Sequence, residues 1–399
     1  MTRNRIPIPR IRPVAGAAIF SLGFRPFFLL AGIWSIAAMA LSFAMFQGWI
    51  ALPTAFRVVD WHYHEMLFGY VAAAIAGFLL TAIPNWTGGL PLQGAPLIGL
   101  ALLWVAGRVA VMGSGWIGAG PAAVIDLGFL VVLGGVTIRE IVSGRNWRNL
   151  PPVLAIALLL VCNALSHAAV LGLIDADGAA RRGAFAVVVM LITLIGGRII
   201  PSFTRNWLVK RKAHALPASF DGFDRVVLGI TVLALIIWVA APDGKVAATL
   251  AALAAVVNLV RLMRWRGFAT RPEPLLMVLH LGYLWIPVGL ALLAASQWWP
   301  SISSTGALHA LSAGAFGTMT LAVMSRATLG HTDRALTAGP GLSAAFVLVT
   351  CAALARVLAS LFDAANLPLL TIAAASWIGA FLCYLVVCGP MFWAPRPKP

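Results

Sequence analysis

The 399-residue chain is 61% hydrophobic and only 10% charged, with a mean hydropathy of +0.95. Charged residues make up about a quarter of an ordinary soluble chain, so this composition excludes a soluble globular protein. The alternating segments of about ten residues that build a membrane β-barrel are absent, while long uncharged runs suit helices of about 20 residues. The sequence predicts an all-α, polytopic membrane bundle forming a single integral membrane domain over 1–399.

Twelve spans are expected, at roughly 20–46, 62–84, 94–112, 119–142, 152–172, 183–203, 224–241, 246–264, 274–296, 305–327, 340–361 and 367–392. The net charge of +16 follows this topology and does not call for nucleic acid. One side carries Arg3, Arg5, Arg10, Arg12 and Arg25, then Arg139 to Arg148, Arg198 to Arg225, Arg261 to Arg271, Arg326, Arg334, Arg396 and Lys398. The other carries only Arg57, Arg181, Arg182 and Lys245. Basic residues collect on cytoplasmic segments, so both termini are expected in the cytoplasm. The long basic, Pro-rich start lacks the pattern of a cleavable signal peptide. Cys162, Cys351, Cys383 and Cys388 lie in apolar spans without CxxC or CxxCH, which argues against a disulfide framework, a zinc site and covalent haem c.

Span one opens with Phe24-Arg25-Pro26-Phe27-Phe28, where Arg25 either snorkels to the interface or serves a site. Span two opens with His62-Tyr63-His64-Glu65-Met66, and ionisable groups at the mouth of a membrane helix are a functional-site hypothesis by default. On one helix His62, Glu65, Met66 and Gly69 share a face, and His64 lies about 200° from His62. The imidazoles then serve different neighbours if the helix begins before His62, and converge if it begins after His64. Arg108 on span three and Asp126 on span four either neutralise each other or relay protons. Asn163 and His167 close span five, where the histidine either ligates or bonds a neighbouring helix.

Span six ends at Gly197-Arg198-Ile199-Ile200-Pro201, followed by a basic loop with His214 that suits lipid head groups. Spans seven and eight are bland, with Ala251, Ala252, Ala254 and Ala255 fit for close helix packing. Span nine carries His280 well inside the membrane, and span ten runs from His309 to Ser325-Arg326 and His331. Arg356 sits near the outer end of span eleven. Spans two, six and ten end alike, on Ile-Pro-Asn-Trp-Thr, Ile-Pro-Ser-Phe-Thr-Arg-Asn-Trp and Met-Ser-Arg-Ala-Thr, which hints at a threefold repeat of four helices.

By depth, His62, His64, His167 and His309 fall in the periplasmic third and His280 nearer the middle; His214 and His331 are cytoplasmic. Imidazole suits haem iron, copper and zinc, and Met66 adds a soft ligand that favours Cu(I). Haem b needs one or two axial histidines and no covalent motif. Polar interhelical contacts are the alternative use of the same residues. Glu65 is a candidate proton donor or a partner that fixes an imidazole tautomer. At the cytoplasmic face Arg25, Arg198 and Arg326 either hold an anion such as haem propionates or anchor the topology.

The motifs Phe24 to Phe28, Trp61 to Gly69, Pro84 to Gly88, Gly197 to Asn206, His280 to Tyr283, His309 to Leu311 and Met324 to Arg326 resemble the NnrS family. Leu329-Gly330-His331-Thr332 completes the set, with Asp333 where the family pattern suggests Gly. The resemblance implies a multi-pass bacterial inner-membrane protein carrying haem b and copper and tied to nitric oxide through denitrification and nitrosative stress. It makes His62, His64, His280, His309 and His331 candidate ligands, followed by His167. Twelve spans with histidines on spans two and ten are also similar to the haem–copper oxidase catalytic subunit. The chain departs from that family because spans six and seven hold no histidine and its His-x-His pair lies on span two.

The first functional reading is therefore binding, detoxification or reduction of nitric oxide. Glu65 and Asp126 are the catalytic proton candidates, and quinol or a partner protein supplies the electrons. The alternatives are a transporter for copper or a small metabolite, which predicts six-plus-six symmetry, and a nitric oxide or redox sensor.

Overall fold

The computed structural model describes residues 17–175, 177–299, 301–362 and 366–394. Arg3, Arg5, Arg10, Arg12, Arg396 and Lys398, whose charges enter the topology argument, lie outside the described residues. Among those described there is no strand, and twelve helices are long and apolar enough to cross a membrane. They are Phe24–Phe46, Val58–Thr87, Ala95–Met112, Ala119–Ser143, Trp147–Val170, Gly178–Lys210, Gly222–Ala240, Lys245–Met263, Pro274–Trp298, Ser304–His331, Pro340–Ala359 and Asn366–Trp393, spans one to twelve.

Local chemistry sets the boundaries. Proline stands in the first turn of spans three, nine and eleven, where its missing N–H is no loss. Asp221 opens span seven with a capping box to Asp224, and Glu273 and Ser303 cap the helices they precede. Span two ends on Gly88, whose φ of 73° is left-handed and closes the helix cheaply. Arg25 donates to the carbonyls of Phe392 and Ala394, at 2.9 and 2.7 Å, satisfying the free end of span twelve. The first and last spans therefore meet at one end of the bundle, called here the terminal end; the other is the distal end.

Burial separates the spans. In span two 78% of the central window is buried, against 33% in spans seven and twelve. Large side chains such as Val124, Val347 and Val386 stay exposed on outer helices, as lipid-facing residues do. Spans two, six and ten meet at the centre: the Tyr70 and Thr320 hydroxyls bond, and the Phe185 and Phe316 rings lie 5.3 Å apart.

These three central spans share one irregularity. Each widens into π-helix, at Glu65–Val71, Ile192–Gly196 and Ala310–Gly317. Such segments are rare and concentrate at functional sites. Their recurrence at intervals of four spans gives the four-helix repeat a structural basis beyond the matching sequence at the span ends.

Candidate metal centre

The helix of span two begins at Val58, before His62, so the two imidazoles of His-x-His diverge. His64 is fully buried and points toward spans three to five, whereas His62 is half-buried and bonds Ser42 on span one. The π segment starts directly after His64. Adjacent residues on an α-helix do not face each other, yet here His64 Nδ1 and Glu65 Oε1 are 3.0 Å apart. Gly69 within the segment admits two large neighbours, since a Cβ there would lie 2.6 Å from Trp34 Nε1 and 3.1 Å from Arg108 Nη1.

Around His64 lies a buried polar cluster drawn from four spans. Arg108 donates to Glu65 Oε1 at 2.7 Å and to Asp126 Oδ1. Asn163 Nδ2 donates to Asp126 Oδ2 at 2.7 Å, and His167 Nε2 lies 3.0 Å from the same oxygen. His64 Nε2 is 2.9 Å from Asn163 Oδ1 and 3.4 Å from Asp126 Oδ2. Phe56 covers both imidazoles, at ring separations of 4.9 and 5.5 Å, and Phe68 packs 5.1 Å from His64. The setting is dry.

The cluster is short of one positive charge on two counts. With neutral imidazoles, two carboxylates face one guanidinium, and buried charge must be compensated. Separately, a neutral imidazole has one N–H, whereas both nitrogens of His64 face oxygens. Asn163 cannot turn its amide to help, because its N–H₂ already serves Asp126. The cluster is completed by one positive charge, either a second proton, on His64 or on Glu65, or a metal ion.

The donor set fits a metal ion. One atom each from His64, Asp126 and His167 lie within 4.8 Å of one another. Ligands about 2.1 Å from a shared ion are at most about 4.2 Å apart, so small side-chain shifts close the gap. Two imidazoles and a carboxylate suit copper, zinc or iron, and Glu65 at the far nitrogen of His64 makes the carboxylate–histidine–metal arrangement that fixes ligand orientation.

On the opposite face of span two a second pair of histidines shares a neighbourhood. His62 and His309 are both half-buried and interact electrostatically with each other and with Arg356. His62 Nδ1 bonds Ser42 Oγ at 2.9 Å, and His309 Nδ1 donates to the Thr305 carbonyl at 2.8 Å, so each Nε2 is the nitrogen left for a ligand. His309 immediately precedes the π segment of span ten, as His64 precedes that of span two.

The remaining candidates stand elsewhere. Met66 packs on the apolar cluster of Ala38, Met45, Trp61 and Val111. His280 lies in the second turn of span nine, bonded to Thr204 and against Gly267 of the preceding connection. His331 packs 5.5 Å from Phe24 at the terminal end. Arg25 caps span twelve, Arg326 stacks 4.0 Å from the Phe203 ring centroid, and Arg198 is exposed, so each has its own setting.

Sequence reading also passed over a second buried network. Arg261 donates to Asp224 at 2.7 Å, the Thr193 carbonyl at 2.9 Å and Tyr283 at 3.2 Å, while Tyr283 donates to Asn258. By sequence alone Arg261 belongs with the basic residues that mark topology. The signal that could have separated it is Asn258 one helical turn earlier, a polar side chain on the same face of an apolar span.

Fold and site together define a multi-pass helical membrane protein with a buried His–Asp–His ligand cluster. The chain belongs to the NnrS family, described as NnrS protein, whose pattern matches residues 18–396. That membership links it to the nitric oxide response and to a family known to bind metals. No curated protein matches the chain.

Proposed function

We propose that this is a haem- and copper-dependent protein of a bacterial inner membrane that binds nitric oxide and reduces it to nitrous oxide. The terminal end faces the cytoplasm, in keeping with the concentration of basic residues there, so both clusters of histidines lie toward the periplasm. The observation carrying the reading is the compact His64–Asp126–His167 cluster that lacks one positive charge, beside a separate, more open His62–His309 pair.

The tight cluster offers donors for a single ion, which favours it as the place for copper. The half-buried pair, each ring with Nε2 left over, suits the iron of haem b. When bound, the metals would supply the electron exchange with nitric oxide. The chain's own residues bury the site, orient the imidazoles through Glu65, Ser42 and the Thr305 carbonyl, and place the Glu65 and Asp126 carboxylates where they would take up and pass on protons. Two nitric oxide molecules, two protons and two electrons give nitrous oxide and water; quinol or a partner protein is the electron source. Nitric oxide is apolar and reaches the site through the bilayer.

The test is an absorption spectrum and copper analysis of the purified protein, reduced and then exposed to nitric oxide. A haem band that shifts with nitric oxide is expected. His64→Ala and His167→Ala should lose copper, His62→Ala and His309→Ala should lose haem, and His214→Ala should lose neither. Absence of both haem and copper from the wild type overturns the proposal. The repeat of four spans gives no support to a transporter of two six-span halves.

A further inference from the structure

Span eleven repeats the position of span three with one omission. Arg108 lies four residues before the end of span three, beside the π segment that follows His64. Arg356 lies three residues before the end of span eleven, in electrostatic reach of His309, which precedes the π segment of span ten. In the first unit the guanidinium holds two carboxylates, Glu65 and Asp126. In the third unit the place of Glu65 is taken by Ala310, and Asn366–Trp393 of span twelve contains no acidic residue. Arg356 makes no hydrogen bond or ion pair with any described residue, although it is half-buried within a membrane-spanning helix.

Arg356 instead lines a recess of about 230 Å³ at the distal end, together with Ser303, Thr305, Ser360 and Asn366. A cation with no partner among the described residues is costly in this setting, and charged groups inside membrane proteins pair with something. A planar guanidinium presents two parallel N–H groups that match a carboxylate or a small oxyanion. The recess has hydroxyl and amide neighbours and a volume suited to such a group. We propose that this recess is an anion site, in which Arg356 grips a carboxylate or small oxyanion that stands where Glu65 and Asp126 stand in the first unit. With a free anion the site rests on the arginine and the recess alone; with a cofactor carboxylate it rests also on the haem of the proposed function.

The anion has two sources, a free solute or the carboxylate of a bound cofactor, and one set of measurements separates them. Full-length protein in detergent is melted in buffer without small oxyanions and with sodium nitrite or sodium formate, as wild type, Arg356→Gln and Arg356→Lys. For a free anion, nitrite or formate raises the wild-type Tm in a saturable way. The midpoint moves at least tenfold higher in Arg356→Lys, and Arg356→Gln does not respond. For a cofactor carboxylate, neither solute shifts the wild type, and both variants purify with a reduced ratio of chromophore to protein. Equal responses in wild type and Arg356→Gln, or no response with full chromophore retained in Arg356→Lys, overturn the site. If Arg356→Gln does not fold, the Lys variant carries the decision, because it keeps the charge and loses the paired N–H geometry.

Discussion

Two buried arginine networks occupy this bundle and differ in kind. The one on Arg261 matches one guanidinium to the Asp224 carboxylate and closes with Thr193, Tyr283 and Asn258, without a histidine. The one on Arg108 sets two carboxylates against one guanidinium and adds His64 and His167. A balanced network needs nothing from outside and works as an interhelical staple. An unbalanced one retains affinity for a proton or an ion, which is the property a site needs.

The comparison is broken most severely by removing either arginine. Deleting one partner of a buried pair costs about 3–5 kcal/mol, and Arg108→Gln strands two carboxylates where Arg261→Gln leaves one, Asp224, with Arg264 still 3.7 Å away. Thermal unfolding in detergent should therefore rank Arg108→Gln as the less stable. The reverse ranking would mean that Glu65 is protonated in the native protein, removing the imbalance.

Apolar replacement of a whole pair sharpens the contrast. Exchanging a buried ion pair for well-packed hydrophobes is often neutral, or stabilising by about 1–4 kcal/mol. Asp224→Leu combined with Arg261→Met should fall in that range and leave metal content unchanged. Asp126→Leu with Arg108→Met should fold but lose the ion, as read by elemental analysis. Equal metal loss in both double variants would refute the division into staple and site.

Two glycines give a finer probe. A Cβ at Gly69 would press on Trp34 and Arg108, and one at Gly197 would press on Arg261. Overpacking costs about 1–3 kcal/mol, so Gly69→Ala and Gly197→Ala should lower Tm comparably. Only Gly69→Ala should also weaken metal binding, since it alone displaces the guanidinium that orders Glu65 and Asp126.

Much of this was legible in the sequence where a residue is unusual for its surroundings. Twelve spans follow from hydropathy. The divergence of His62 and His64 follows from helical geometry once the helix is known to start before them, and the Arg108–Asp126 pair follows from the cost of buried charge. What sequence could not give is how the histidines divide between neighbours, because that depends on which spans touch. The π segments were invisible as well, because a widened turn has no composition of its own. The role of Arg25 as a cap was illegible for a related reason: its partners are backbone carbonyls of span twelve, which carry no residue signature. The packing of His280 against the Gly267–Thr270 turn was equally illegible, because it depends on how a connection folds back onto span nine.

The smallest expected effect lies at the exposed edge of the Arg261 network, where Asp221 caps span seven and pairs with Arg264. The hydrogen bond from Arg264 is the main cause that holds the Asp221 carboxyl at about 2, against an ordinary value of 3.8. A carboxyl depressed in the folded protein adds stability that is fully present above its unfolded value and disappears as pH falls through its folded value. The contribution should therefore fade between about pH 4 and pH 2. Asp221→Asn should flatten that part of the stability curve, with little change at neutral pH, because Asn also caps helices. Added salt should weaken the wild-type effect, since the pair is exposed to screening. Metal content should follow neither change, because the histidine cluster is built on spans two to five and shares no residue with this edge.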